Sequence, residues 1–85
     1  MKIYIIDDHA LFRNGLIALL ESKQIKATAA SSPEQGLTEI ESIKVDIILL
    51  DLRMPQMSGI EVLQILKKRQ IKTPIVMLTT STEET

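Results

Sequence analysis

The strongest constraint on this chain is where its apolar runs stop. Ile3–Ile6, Val45–Leu50 and Ile75–Leu78 are short, strongly apolar and rich in Ile and Val. All three read as strands, and the continuous run Ile3–Ile6 has the pattern of one covered on both faces. Each run stops on oxygen-bearing side chains: Asp7 and Asp8 after the first, Asp51 after the second, Thr79 after the last. Ile25–Ala30 is a weaker, alanine-rich candidate strand. Between the runs lie helical patterns. Phe12, Leu16, Leu19 and Leu20 recur at helical spacing from Ala10 to about Glu21. Ser32-Pro33-Glu34-Gln35 combines an N-cap serine, a proline at the first helical position and a capping-box glutamine. The helix it opens carries Leu37, Ile40 and Ile43. Ser58-Gly59-Ile60-Glu61 repeats the capping box and opens a helix to about Gln70, with Val62, Leu63 and Leu66 inward. Lys67, Lys68 and Arg69 suit the negative end of that helix.

The order β-α-β-α-β-α-β predicts an α/β fold, an open parallel sheet with helical crossovers. With 85 residues there is room for one small domain, residues 1–85. No apolar run is long enough to span a bilayer, so no membrane role is expected. There is no cysteine, hence no disulfide framework or thiolate metal site, and a cytoplasmic setting fits. A net charge of −1 and two aromatic residues leave no electrostatic or stacking platform for nucleic acid.

In an open parallel sheet, ligands bind outside the carboxyl ends of the strands. If the strands align, Asp7, Asp8, Asp51 and Thr79 converge there. A lone Asp after a buried strand is commonly a helix cap or turn residue, and Asp7 or Asp8 could cap the helix near Ala10. That reading does not explain acids or a hydroxyl ending every strong strand. Clustered carboxylates repel, raising the pKa of at least one unless a cation offsets them. A hard divalent ion fits, and magnesium fits best because it keeps waters and accepts phosphate oxygens.

The residues then resemble a family. Ile6-Asp7-Asp8-His9, followed by Leu11, Arg13, Gly15 and Leu16, looks like the opening of bacterial response-regulator receiver domains. It is most similar to the branch that usually carries a LuxR-type helix-turn-helix output domain. Ile47 through Gly59 resembles the phosphoacceptor strand and loop, and Pro74 through Thr79 the strand ending in the switch hydroxyl. The resemblance implies a flavodoxin-like, CheY-like fold and a phosphoacceptor signalling domain of a two-component system. It implies that Asp51 is the nucleophile, phosphorylated by a sensor histidine kinase. Asp8, Asp51 and the backbone carbonyl of Arg53 would bind Mg2+, with Asp7 acting largely through water. Thr79 would hydrogen-bond the phosphoryl group, and Arg53 and Ser81 would tune its hydrolysis. DNA would be reached only through a separate output domain, giving a role in transcription regulation.

Other residues carry blander expectations. His9 reads as a helix-start residue near the site, Met54 and Met57 as loop packing, and Gly59 as a point of close approach. Lys67–Arg69 reads as a solvated helix end. Ser81-Thr82-Glu83-Glu84 resembles a further N-cap, so the chain is expected to stop before the family's last helix, strand and helix. The lysine and aromatic switch residue of that last strand are then absent. Either the sequence omits a remainder, or a truncated form pairs as a homodimer or swaps elements with a second copy. Two other functions compete with the switch. One is a phosphate-independent protein-binding module. The other is a magnesium-dependent phosphohydrolase, which Arg53 disfavours by standing where a general acid would be needed.

Overall fold

The computed structural model describes residues 1–54 and 57–78. The elements are β1 (Lys2–Ile6), α1 (Ala10–Ser22), β2 (Lys26–Ala30), α2 (Pro33–Glu39), β3 (Ile47–Asp51), α3 (Gly59–Lys68) and β4 (Ile75–Leu78). The strands form one parallel sheet in the order β2-β1-β3-β4. The chain moves from β1 to one side, then crosses back over β1 to continue on the other. The strand order therefore reverses between β1 and β3, and the carboxyl ends at such a switch point are where open α/β sheets bind ligands.

The sheet separates two apolar layers. Tyr4, Ile6, Ile48 and Leu50 point to one face and pack with Leu37 and Ile40 from the α2 region and Val62 and Leu66 of α3. Ile3, Ile5 and Ala27 point to the other, where Leu16, Ile17 and Leu20 of α1 and Ile47 and Leu49 of β3 join them. The uninterrupted apolar run of β1 follows from this, since both of its faces are covered.

The first face is sealed by polar contacts as well as packing. Ser58 Oγ accepts from Glu61 N at 3.2 Å and Glu61 Oε1 accepts from Ser58 N at 2.9 Å, the complete capping box expected for α3. At α2, Ser32 Oγ accepts from Gln35 N at 3.1 Å. The reciprocal half differs from expectation, because Gln35 Oε1 accepts from Ser31 N and Ser31 Oγ instead of Ser32 N. Arg69 also departs from the solvated helix end expected of it. Its Nη1 donates to Leu37 O at 2.6 Å and to Glu41 Oε2 at 3.2 Å, fastening α3 to α2. The helix stops there because Gln70 takes a left-handed conformation, φ 61°.

The second face is less covered. No residue of α1 is fully buried. The expected stripe of Phe12, Leu16, Leu19 and Leu20 splits: Leu16 and Leu20 pack with Ile17, while Phe12 is 41% and Leu19 54% exposed. At about 100° per residue, Phe12 and Leu19 lie roughly a quarter turn from the centre of the face that Leu16, Ile17 and Leu20 share. Val76 of β4 is exposed on the same side of the sheet. No helix among the described residues is long and apolar enough to cross a membrane.

Candidate metal and phosphoacceptor site

Parallel pairing sets the level of every group at the carboxyl edge. Ile6 lies beside Leu50, so Asp7 leaves β1 where Asp51 ends β3. Asp51 in turn lies beside Leu78, the last residue of β4. Thr79, expected at this edge, lies outside the described residues, as does Ser81.

Asp7 and Asp51 are both fully buried, and Asp8 is partly exposed beside them. Backbone amides hold one oxygen of each buried carboxylate. Asp7 Oδ1 accepts from His9 N at 2.8 Å, and Asp51 Oδ1 accepts from Arg53 N at 3.2 Å. The other oxygens are left over: Asp7 Oδ2, Asp8 Oδ1 and Asp51 Oδ2 are shielded from solvent and have no hydrogen-bond partner. Buried carboxylate oxygens without donors are costly. An all-oxygen set of this kind fits a hard divalent cation, which would satisfy these atoms together.

Electrostatics carry the mark of that crowding. The Asp51 carboxyl is pushed above the usual aspartate range, first by burial and then by the negative charge of Asp7 beside it. The Arg53 amide and the His9 ring oppose the shift. Residue 59 must be glycine for reasons of space, because a Cβ there would lie 2.8 Å from Leu52 Cα. Gly59 N donates to Leu52 O at 3.0 Å, tying the start of α3 to the segment leaving Asp51.

The structure therefore brings Asp7, Asp8 and Asp51 together and places the Arg53 backbone against Asp51. It also brings in two residues that sequence reasoning set aside or left without a role. His9 is the N-cap of α1, yet its side chain makes no cap bond. Its Nδ1 lies 3.1 Å from Asp7 Oδ1, 3.2 Å from Asp8 Oδ1 and 3.5 Å from Asp51 Oδ2. The hydrogen bond to Asp7, more than the charges of the other acids, raises the pKa of His9. A histidine where a capping Ser, Thr or Asp is preferred was the available signal. Arg13 Nη1 donates to Asp7 O at 2.8 Å, reaching back one turn from α1 to fix the end of β1.

Comparison with known proteins places this geometry. The response regulator receiver domain family matches residues 3–85. The transcriptional regulatory protein YdfI of Bacillus subtilis is 38% identical over 86 residues, covering 98% of this chain and 39% of that protein. A protein-glutamate methylesterase/protein-glutamine glutaminase of Treponema denticola is also 38% identical over 86 residues, covering 99% of this chain but 23% of that protein. The chain thus spans two fifths or less of either relative, and their different activities belong to proteins far longer than the shared segment. Among solved structures, the response regulator TrrA of Thermotoga maritima, in complex with Mg2+-BeF, aligns with a TM-score of 0.86 and 28% identity, over 95% of this chain and 70% of that one. With its parallel sheet, its β1/β3 switch point and its acid cluster, the chain belongs to the response-regulator receiver domain family.

Proposed function

We propose that Asp51 is the phosphoacceptor of a two-component switch and that Asp7, Asp8, Asp51 and the backbone carbonyl of Arg53 hold Mg2+. One observation carries the reading. Three carboxylates converge at the β1/β3 switch point, and an oxygen of each is shielded with no partner. When bound, the ion supplies charge neutralisation and orientation for the phosphoryl oxygens.

The chain's own residues supply the rest. The Arg53 amide fixes one Asp51 oxygen and leaves Oδ2 as the nucleophile. That oxygen attacks phosphorus as the bond to the donor nitrogen breaks, leaving an acyl phosphate on Asp51. Only the ionised carboxylate attacks, so its raised pKa opposes the reaction until positive charge enters the site. Thr79 would hydrogen-bond the attached phosphoryl group and move toward it. Residues 1–85 act as the amino-terminal portion of a receiver domain.

The donor is a sensor histidine kinase in the cytoplasm. DNA is reached only through a separate output domain, since the net charge of −1 gives this segment no attraction for phosphates. A homodimer or element-swapped assembly would cover Phe12, Leu19 and Val76, which are exposed here.

Intact mass after incubation with acetyl phosphate and MgCl2 tests the proposal. A phosphoryl adduct that requires Mg2+ and disappears in Asp51→Ala is expected. Turnover of acetyl phosphate without an adduct would indicate a phosphohydrolase instead. Neither adduct nor turnover would leave a phosphate-independent binding module.

A further inference from the structure

We propose that His9 adds a nitrogen ligand to the Asp7, Asp8 and Asp51 cluster, making a mixed site that favours a borderline transition ion over Mg2+. The inference rests on reading the three acids as a cation site. It concerns which ion that site prefers, and therefore which ion supports the switch when several are present.

The distances lie close to those between ligand atoms that share one ion, although the shortest is also a hydrogen bond. Neighbouring ligands on an octahedral ion with bonds of about 2.1 Å stand roughly 3.0 Å apart. On a tetrahedral ion with bonds of about 2.0–2.1 Å they stand about 3.3–3.4 Å apart. His9 Nδ1 stands 3.1, 3.2 and 3.5 Å from one oxygen each of Asp7, Asp8 and Asp51. One ligand atom from each of the four residues fits within a span of 4.8 Å. A single ion can therefore reach Nδ1 together with carboxylate oxygens through small side-chain rotations.

Two further features make His9 a ligand and not merely a neighbour. Its position at the head of α1 makes no use of the side chain as a cap, and the ring already faces the acids, with Nδ1 within hydrogen-bond distance of Asp7 Oδ1. The side chain is also half exposed, so on binding an ion Nδ1 would release the proton it shares with Asp7 while solvent-facing Nε2 keeps its own. An octahedral ion held by His9 and two or three oxygens retains open positions for a phosphate oxygen and water. Imidazole nitrogen binds Ni2+ and Zn2+ well, whereas Mg2+ prefers oxygen, so the added ligand strengthens binding selectively.

The test titrates the untagged protein calorimetrically with NiCl2, ZnCl2 and MgCl2, each alone, and repeats the series with His9→Ala. Circular dichroism confirms that the variant folds, as expected for a half-exposed residue. Losing a direct ligand should weaken Ni2+ and Zn2+ by about tenfold or more, at least what second-shell losses cost. Mg2+ should change by less than about twofold. His9 is the chain's only histidine, so an imidazole 14N coupling in the pulsed EPR spectrum of bound Mn2+ would be its signature, lost in His9→Ala. Unchanged or tighter Ni2+ binding in His9→Ala, with no nitrogen coupling, would overturn the inference, since the ring would then be a bystander or be displaced. In that case Mg2+ binding that is lost in Asp51→Ala would leave the cation-site reading intact. A wild-type protein that binds none of these ions would overturn both.

Discussion

Asp51→Asn is expected to stabilise the fold while abolishing its chemistry. At neutral pH without divalent ions, the wild type keeps Asp51 fully buried beside Asp7, with Oδ2 unpartnered. An Asn side chain is nearly the same shape. Its carbonyl can still accept from Arg53 N, and its amide can donate toward Asp7 where two carboxylates repelled one another. Relieving one unsatisfied buried group is worth about 1–3 kcal/mol. For a domain of this size, each kcal/mol moves Tm by roughly 4–8 °C. Thermal melts in EDTA at neutral pH should therefore show a rise of at least about 4 °C. The sign with pH follows from linkage. The folded-state pKa of Asp51 is raised, so the folded protein binds more protons there than the unfolded chain. Its contribution is fully present below the ordinary aspartate range and is lost as pH rises through the folded-state pKa. His9, also raised, acts with the same sign in a window that begins near the ordinary histidine value. Asp51→Asn should remove the acidic part of that decline. MgCl2 at about a hundred times its dissociation constant should add roughly 2.7 kcal/mol to the wild type and much less to the variant. A variant no more stable than wild type in EDTA, with the same pH profile, would refute the claim that the site is electrostatically strained.

The remaining predictions concern the scaffold. Gly59→Ala forces a Cβ against Leu52 and should cost about 1–3 kcal/mol, read as a lower urea midpoint with unchanged m. Tyr4→Phe removes a 2.7 Å bond to Glu39 Oε1 from a tyrosine whose ring is buried. A loss of about 1.5 kcal/mol in chemical denaturation is expected, as for a hydrogen bond to a charged group. Arg69→Ala leaves the Leu37 carbonyl without its guanidinium donor. It should cost about 1–2 kcal/mol by the same assay, with faster amide exchange along α2.

Much of this was legible in the sequence, for reasons that differ by residue. The apolar runs before Asp7 and Asp51 read as buried strands because both faces of β1 and one face of β3 are covered by helices. Ser58 and Glu61 announced the start of α3 because a capping box is a local contact. Two placements were not legible. The departure of Phe12 and Leu19 from the buried stripe depends on where the axis of α1 lies over the sheet, which periodicity does not specify. Arg69 reads as one of three cations in a row, and only the crossing of α3 over α2 selects it to meet the Leu37 carbonyl.

His9 shows why site residues are harder to read than core residues. A buried leucine is recognised by its own chemistry, whereas His9 has its role only because parallel pairing delivers Asp51 to the level of Asp7. The residues 7 and 51 are far apart in sequence, and β1 and β3 are adjacent only because the chain skips past β1 after β2. That crossover concentrates negative charge at the edge where the strand order reverses. The resulting repulsion weakens the fold, and it also generates the affinity, since any ion that relieves it is bound with the free energy the acids lose by crowding. Stability without divalent ions and cation affinity should accordingly trade against each other at Asp7 and Asp51. A substitution that raised both would show that the cluster is not where the ion binds.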